Sequence, residues 1–380
     1  MTESISYRPP RRAELADCAM IWYSAVDDYM ARLNRPLPSP YLDPLLALLE
    51  HLLVTDSERF LVAVRPAMRG DANRGERVVG FGIAVQREHV WFLSQLYVLP
   101  DEQRRGIGRA ILTQIMPSIA QAPLPDEAAV GGGAWDSNVA IAVGVTGAAG
   151  AAGDRPDRRN GIMATCTDSV QPASNGLYSR YGIVPRVPVF NLVGYPVNPS
   201  PMPALPAGVE AVAIDRQGPR AARVAAVRAT AGELEHAAPD HLGAARANDS
   251  IDRAIDSIDR AVLGYAHPAD HAYLRAMGRS GFVYMTSAGE PVGYGYSSEV
   301  GRFGPVSLLD ETLTAAVIGH LMATIRPRGA TSAWIPGAND RAMVAMLRSG
   351  MRIEGFPAQL CWTRPFAAFD RYVPASLALL

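Results

Sequence analysis

Around residue 100 the chain passes from a strand to a helix through a loop shaped for an anion, and few folds accommodate such a junction. Residues 90–98 read as a strand and Pro100 stops it. Gly106 and Gly108 then open a helix, expected over 106–119, with Ile107, Ile111, Leu112 and Ile115 on its inner face. Residues without side chains let a ligand come close to backbone N–H groups. Those of a first helical turn have no intrahelical partner, and the helix dipole adds about half a positive charge there. Arg104, Arg105 and Arg109 contribute full charges. The whole reads as a cradle for a pyrophosphate. A nucleotide-hydrolysing P-loop would need Gly-Lys-Ser/Thr, and a dinucleotide fingerprint a third glycine where Ile111 stands.

At 380 residues the chain has room for two or three domains. Its 48% hydrophobic and 19% charged residues exclude a disordered, collagenous or coiled-coil chain. A formal net charge of −1 gives no reason to expect nucleic acid or anionic lipid as a partner. Cys18, Cys166 and Cys361 are few, scattered and odd in number, which excludes a disulfide scaffold and suits a reducing cytoplasm. The first residues lack the apolar core of a signal peptide. The apolar stretch 139–153 is too short to span a membrane. A cytoplasmic protein is expected, so the sequon Asn248-Asp249-Ser250 carries no weight.

Helix and strand signals alternate. Leu15, Cys18, Ala19, Trp22, Val26 and Met30 recur at helical spacing over 13–33, until Pro36, Pro38 and Pro40 intervene. Pro44 opens a second helix. Strands are expected over 60–64, 78–86 and 90–98, the last two joined through Arg87, Glu88 and His89. Residues 122–161 have no period and read as an inserted surface loop. A strand over 162–167, a helix over 173–181 and a strand over 187–193 follow. Five prolines in 194–207 mark a linker.

The second half repeats this grammar. Helices are expected over 221–231 and 250–263, the latter carrying Ile251, Ala254, Ile255, Ile258 and Val262 on one core-facing side. Strands over 282–286, 291–297 and 305–309, a helix over 311–325, a strand over 330–335, a helix over 340–349 and a strand over 358–363 complete it. Val79-Gly80-Phe81-Gly82 resembles Val292-Gly293-Tyr294-Gly295, and the helix end at Gly182 resembles that at Gly350. The two offsets differ by about the length of the 122–161 insert, as a duplication interrupted in its first copy requires. The fold expected is α/β: a mixed, mostly antiparallel sheet flanked by helices, α+β in some schemes, and present twice. The domains expected are 1–195, a 196–207 linker and 208–380.

Gln103-x-x-Gly106-x-Gly108 after a strand and proline resembles the acetyl-coenzyme A loop of the GNAT superfamily of N-acetyltransferases. Ser174-Asn175-Gly176-Leu177-Tyr178 through Tyr181-Gly182-Ile183 is similar to that superfamily's later segment, with Ile183 where Phe is usual. The resemblance implies two GNAT-like domains in tandem and acetyl-CoA as co-substrate. Backbone groups of Leu96, Tyr97 and Val98 would pair with the pantetheine arm. Gln103, Arg104, Arg105, Gly106, Ile107, Gly108 and Arg109 would hold the pyrophosphate. Asn175, or Gln171 a turn earlier, would touch the lower part of the cofactor. Tyr178 would be the general acid that protonates the leaving thiolate, and the N–H of Val98 would meet the oxyanion. Asp168, Glu88 and His89 are candidate bases, and water alone could serve.

The second half has no glycine and no arginine over 309–318, and Met346 stands where Tyr178 does, so that copy is expected to be degenerate. Trp22, Tyr23, Asp27, Asp28 and Tyr29 would wall the acceptor site and suit a cationic amine. The acceptor expected is a small-molecule amine, for a monomer or homodimer, with neither nucleic acid nor membrane as a partner. A non-catalytic acyl-CoA-binding or sensing protein is the alternative, and a longer acyl chain depends on pocket depth at Ser94 and Gln95. No metal is expected: His267 and His271 stand four apart, but Pro268 at a helix start explains that segment and no third ligand is evident.

Overall fold

Prolines set the first boundaries. Helix α1 (Leu15–Arg32) buries Leu15, Cys18, Ala19, Ile21 and Ala25 along one stripe. Helix α2 (Asp43–Thr55) starts with a proline in its first turn, where the missing N–H costs nothing, and buries Leu49 and Leu52. The computed structural model describes residues 5–66, 75–117, 161–195, 197–214 and 240–380. The helix expected over 221–231, and all but the last residue of the expected insert, lie outside the described residues.

Strands β1 (Ser6–Arg8), β2 (Phe60–Pro66), β3 (Glu76–Arg87) and β4 (Val90–Val98) form an antiparallel run. Helix α3 (Ile107–Ile115) packs on it, burying Ile107, Ile111, Leu112 and Ile115. The helix ends earlier than the 119 expected: Met116 is extended, because Pro117 disfavours helical backbone in the residue before it. Strand β5 (Ile162–Asp168), helix α4 (Pro172–Ser179) and strand β6 (Val184–Gly194) follow.

The second half holds β7 (Val209–Ile214), α5 (Asp240–Val262), α6 (Pro268–Ala276), β8 (Ser280–Thr286), β9 (Pro291–Ser297), β10 (Val306–Leu308), α7 (Thr314–Thr324), β11 (Thr331–Pro336), α8 (Asp340–Arg348), β12 (Arg352–Ile353), β13 (Ala358–Trp362) and β14 (Tyr372–Val373). On α5, Ile255, Ile258 and Val262 are buried, the core-facing side that the repeat predicts. One sheet has the order β14-β10-β9-β8-β7. The other runs β1-β2-β3-β4-β5-β13-β6-β11, with β12 also on β6. The expected mixed, mostly antiparallel architecture is the one observed.

The two halves share a sheet. β13, from the second half, lies antiparallel between β5 and β6, and β6 in turn pairs with β11 of the second half. Both halves therefore contribute to the nine-stranded sheet, and a cut at residues 195 and 208 would split it, whereas the five-stranded sheet lies wholly in the second half.

The repeated Val-Gly-aromatic-Gly has a packing cause. A Cβ on Gly82 would collide with Ile111 Cγ2 of α3, and one on Gly295 would come 2.6 Å from Leu321 Cδ1 of α7. In both halves the glycine is where the helix rests on the strand. Ile111 is β-branched and stiff at χ1, so the helix itself would have to move. Gly82→Ala is expected to destabilise by about 1–3 kcal/mol, read as a lowered denaturation midpoint with unchanged slope.

A buried ion cluster joins the halves. Arg87 of β3 reaches Asp270 of α6 at 2.8 Å and both carboxylate oxygens of Asp56 at 3.0 Å. His51 Nε2 lies 2.8 Å from the same Asp270. Removing the guanidinium strands two buried carboxylates. Arg87→Met is therefore expected to cost about 3–5 kcal/mol, measured by chemical denaturation.

Candidate active site

β4 and β5 run parallel and in register only from Val90↔Ile162 to Leu93↔Thr165. There Thr165 Oγ1 donates to the carbonyl of Leu93, and the pairing stops. β4 continues through Val98 and β5 through Asp168, so a wedge opens between them. A register shift between Ile83 and Ala84 makes Ser94 an extra residue of β4 at the mouth of this wedge.

Which backbone groups face the wedge follows from the ladder. Leu99 N–H donates to Val79, and Tyr97 stands opposite Phe81. Alternation then turns the N–H and C=O of Leu99, Tyr97 and Gln95 toward β3, and those of Leu96 and Val98 into the wedge. Leu96 and Val98 are thus placed to pair with an extended ligand. Tyr97 is not: its backbone is spent on β3, because a strand offers only alternate residues to each neighbour. Its side chain contributes instead, packed edge-on to Trp22 at 6.4 Å between ring centroids.

At the bottom of the wedge Gly106 has φ +84°, a left-handed conformation that favours glycine, and it caps α3 without any side-chain acceptor. The first helical bond runs from Ala110 N–H to Gly106, leaving the amides of Ile107, Gly108 and Arg109 unpaired within the helix. No acid stands in the first turn to offset the dipole. A Cβ on Gly106 would meet nothing within 4 Å.

Arg104 and Arg109 have no ion-pair partner among the described residues. Arg105 does: its guanidinium lies 3.0 Å from Glu102, which also holds Arg65 at 2.8 Å. Gln103 turns its Nε2 back to the carbonyl of Val98 at 3.0 Å. Arg105 and Gln103 therefore shape the loop.

α4 closes the other side. Asn175 is held by the backbone around it. Its Nδ2 donates to the carbonyls of Asp168 and Gln171, and its Oδ1 is buried with no partner. Ser94 Oγ and Gln95 Oε1 are likewise buried and unpaired. Unpaired buried polar atoms are costly, and three of them near one wedge fit a site made for a polar, extended ligand. Tyr178 is 5% exposed beside them. Burial raises its pKa well above the ordinary value, and a hydrogen bond with Ser174 opposes the rise. Cys361 of β13 stands close enough to add to it, so the second half reaches the site through its lent strand.

The acceptor wall is only partly as expected. Asp27 accepts from the N–H of Leu37 and Tyr23 donates to Pro38, so these two fold the proline-rich turn, while Asp28 pairs with Arg32 within α1. The acidic group that remains is Asp168, which accepts from the Tyr29 hydroxyl. Burial raises Tyr97, and the nearby Asp168 raises it further. Glu88 sits at the far end of β4, where it holds Arg260 and the N–H of Ala266. His89, beside it, is as distant from the wedge. Neither serves the site.

The second half shows the same plan closed. Asp310 caps the turn leading into α7, accepting from Thr312 N–H, where the first half has bare amides. β14 pairs with β10, and Leu308 N–H donates to Arg371, so a piece of the chain occupies the position equivalent to the wedge. Met346, equivalent to Tyr178, is fully buried.

No helix among the described residues is long and apolar enough to cross a membrane. No curated protein matches the chain. Residues 26–122 match the model of the acetyltransferase (GNAT) family. Among solved structures, one from Pyrococcus horikoshii described as a candidate acetyltransferase superposes with a TM-score of 0.57 at 14% identity, over 100% of this chain and 97% of that one. A GCN5-related N-acetyltransferase from Sphaerobacter thermophilus gives 0.48 at 14% identity, over 95% and 96% of the two chains. Residues 26–122 thus match the acetyltransferase (GNAT) family, and over its whole length the chain shares the fold of the Pyrococcus horikoshii structure.

Proposed function

We propose that the protein is an acetyl-CoA-dependent N-acetyltransferase acting on a small primary amine. The observation that carries this is the wedge between β4 and β5 running down to an uncapped, arginine-flanked helix start. Leu96 and Val98 add the pantetheine arm as a short strand. The amides of Ile107, Gly108 and Arg109, with Arg104 and Arg109, hold the pyrophosphate. Residues 1–195 form the loaded domain and 208–380 the supporting one, joined by the 196–207 linker and by the sheet they share. Cytoplasmic residence fits three free cysteines.

Acceptor binding falls to the opposite face of β4. Asp168 attracts an ammonium group, and the rings of Trp22 and Tyr97 line its approach. The amine attacks as the neutral base after losing a proton to water or through the Tyr29–Asp168 pair. Val98 N–H donates to the oxyanion as charge develops. Tyr178 gives its proton to the leaving thiolate. Burial makes this phenol a weaker acid, but the same dry surroundings make the thiolate a stronger base, so the transfer remains matched.

A panel of primary amines with acetyl-CoA and thiol detection tests the reading. Amine-dependent thiol release is expected, and Asp168→Asn should raise KM for the amine by about tenfold, one charge-assisted hydrogen bond being worth about 1.5–3 kcal/mol. Coenzyme A binding with no thiol release for any amine would instead indicate a sensor.

A further inference from the structure

The geometry points to a buried zinc-type divalent metal site formed by Asp259, His267 and His271, on the α5–α6 face of the second domain. Asp259 comes from α5, His267 precedes α6 and His271 lies one turn into it. All three are buried, and their ligand atoms lie within 4.8 Å of one another. Asp259 Oδ2 is 3.2 Å from His267 Nε2 and 2.9 Å from His271 Nε2. Donors about 2.0–2.1 Å from a tetrahedral zinc stand roughly 3.3 Å apart, so the three need only a small opening to surround one.

A second observation is independent of that spacing. Both ring nitrogens of His267 and Nδ1 of His271 are buried and complete no hydrogen bond, and each of the two residues is 2% exposed. The His267 nitrogens have only carboxylate oxygens at 3.2 and 3.5 Å, outside good hydrogen-bond geometry, and buried polar atoms left so are costly unless something else uses their lone pairs.

The surroundings match those of a metal ligand. A zinc-bound histidine turns its other nitrogen to a carboxylate, which fixes the ring. His267 Nδ1 lies 3.5 Å from Asp270, and Asp270 is itself gripped by Arg87 and His51. Asp259 is oriented in the same way: its second oxygen accepts from Tyr294 at 2.6 Å.

Charge agrees. Asp56 and Asp270 share the guanidinium of Arg87, and Asp259, also buried, has no arginine or lysine partner among the described residues. With neutral imidazoles this leaves two negative charges uncompensated, and a divalent cation removes them. Two nitrogens and one oxygen suit zinc rather than magnesium or calcium. The three side chains leave the fourth tetrahedral position to a water molecule, and the ion would tie α6 to α5 beside the contact with Arg87. The rival state is metal-free. There, burial lowers His267 but Asp259 and Asp270 outweigh it, raising its pKa to about 9, and a proton takes the cation's place.

The test uses the untagged full chain, stripped with a chelator, reloaded with zinc and dialysed. About one zinc per chain is expected by elemental analysis. Zinc-edge X-ray absorption should show nitrogen and oxygen neighbours with imidazole scattering and no sulfur. Cobalt loading should give the intense visible bands of a tetrahedral ion, and Tm should fall on chelation and recover with zinc. His271→Ala should lower the metal content at least tenfold and make Tm indifferent to chelator. The spectra need only the wild-type chain, so an unfolded variant does not remove the test. Less than a tenth of an equivalent after loading, sulfur in the coordination sphere, or full metal retention by folded His271→Ala would each overturn the site.

Discussion

Tyr178→Phe should lower kcat by about 10²-fold and leave the Kd for coenzyme A almost unchanged. The substitution keeps the ring, so the packing of α4 against the sheet survives, and only the hydroxyl is lost. A general acid contributes about 10²–10⁴-fold. The low end is expected, because a thiolate, whose conjugate acid has an ordinary pKa of about 8.5, leaves readily even without a proton. An effect confined to kcat and kcat/KM marks an interaction made in the transition state alone. Unchanged turnover would make Tyr178 a core residue. A matching loss of coenzyme A affinity would make it part of the binding wall.

The second large effect concerns Arg104 and Arg109, the loop arginines without an ion-pair partner among the described residues. Arg104→Ala with Arg109→Ala should raise the Kd for coenzyme A by about 10²-fold, each charge-assisted contact being worth about 1.5–3 kcal/mol when fully formed and less at an exposed site. Binding by the double variant should also depend less on salt, since fewer exposed charges are left to be screened. Arg105→Ala should be milder toward ligand, because that guanidinium is committed to Glu102. Its cost should appear in loop order, read as faster amide exchange over residues 100–106. Equal effects from all three arginines would mean that the cradle works through net charge rather than through position.

Local features of the chain were legible before the structure. The glycine loop and the SIDRAID face of α5 follow from spacing within one element and lie where the spacing puts them; on α1 Leu15, Cys18 and Ala19 do so, but Ile21 and Ala25 are buried in place of Trp22, Val26 and Met30. Pro117 fixes the end of α3, although the helical periodicity of the sequence runs past it. What stayed hidden depends on partners far apart in sequence. The pairing of β13 with β5 and β6 is a choice between similar edges, and the pattern within a strand does not name its neighbour. The division of labour on β4, with Leu96 and Val98 facing the wedge and Tyr97 turned to β3, needs the register. Asp168 meets Tyr29 across 139 positions. Asp259 stands near His267 because Gly264, at φ +82°, reverses the chain between α5 and α6. The histidine pair alone therefore looked one ligand short.

The duplication was legible as a repeated Val-Gly-aromatic-Gly, and the packing of α3 and α7 on those glycines gives it a cause. Its asymmetry needed the structure. Absence of glycine and arginine predicts that the second copy lacks a cradle. It does not predict that β14 occupies the wedge-equivalent position there. One half keeps its wedge open for a ligand, and the other fills it with its own chain.

Titration calorimetry of coenzyme A into the full-length protein addresses the central claim most directly. One molecule should bind per chain, with the heat abolished or strongly weakened when Arg104 and Arg109 are both alanine. No binding to the wild-type chain, two molecules per chain, or heat undiminished in the double variant would contradict a single diphosphate cradle at the start of α3.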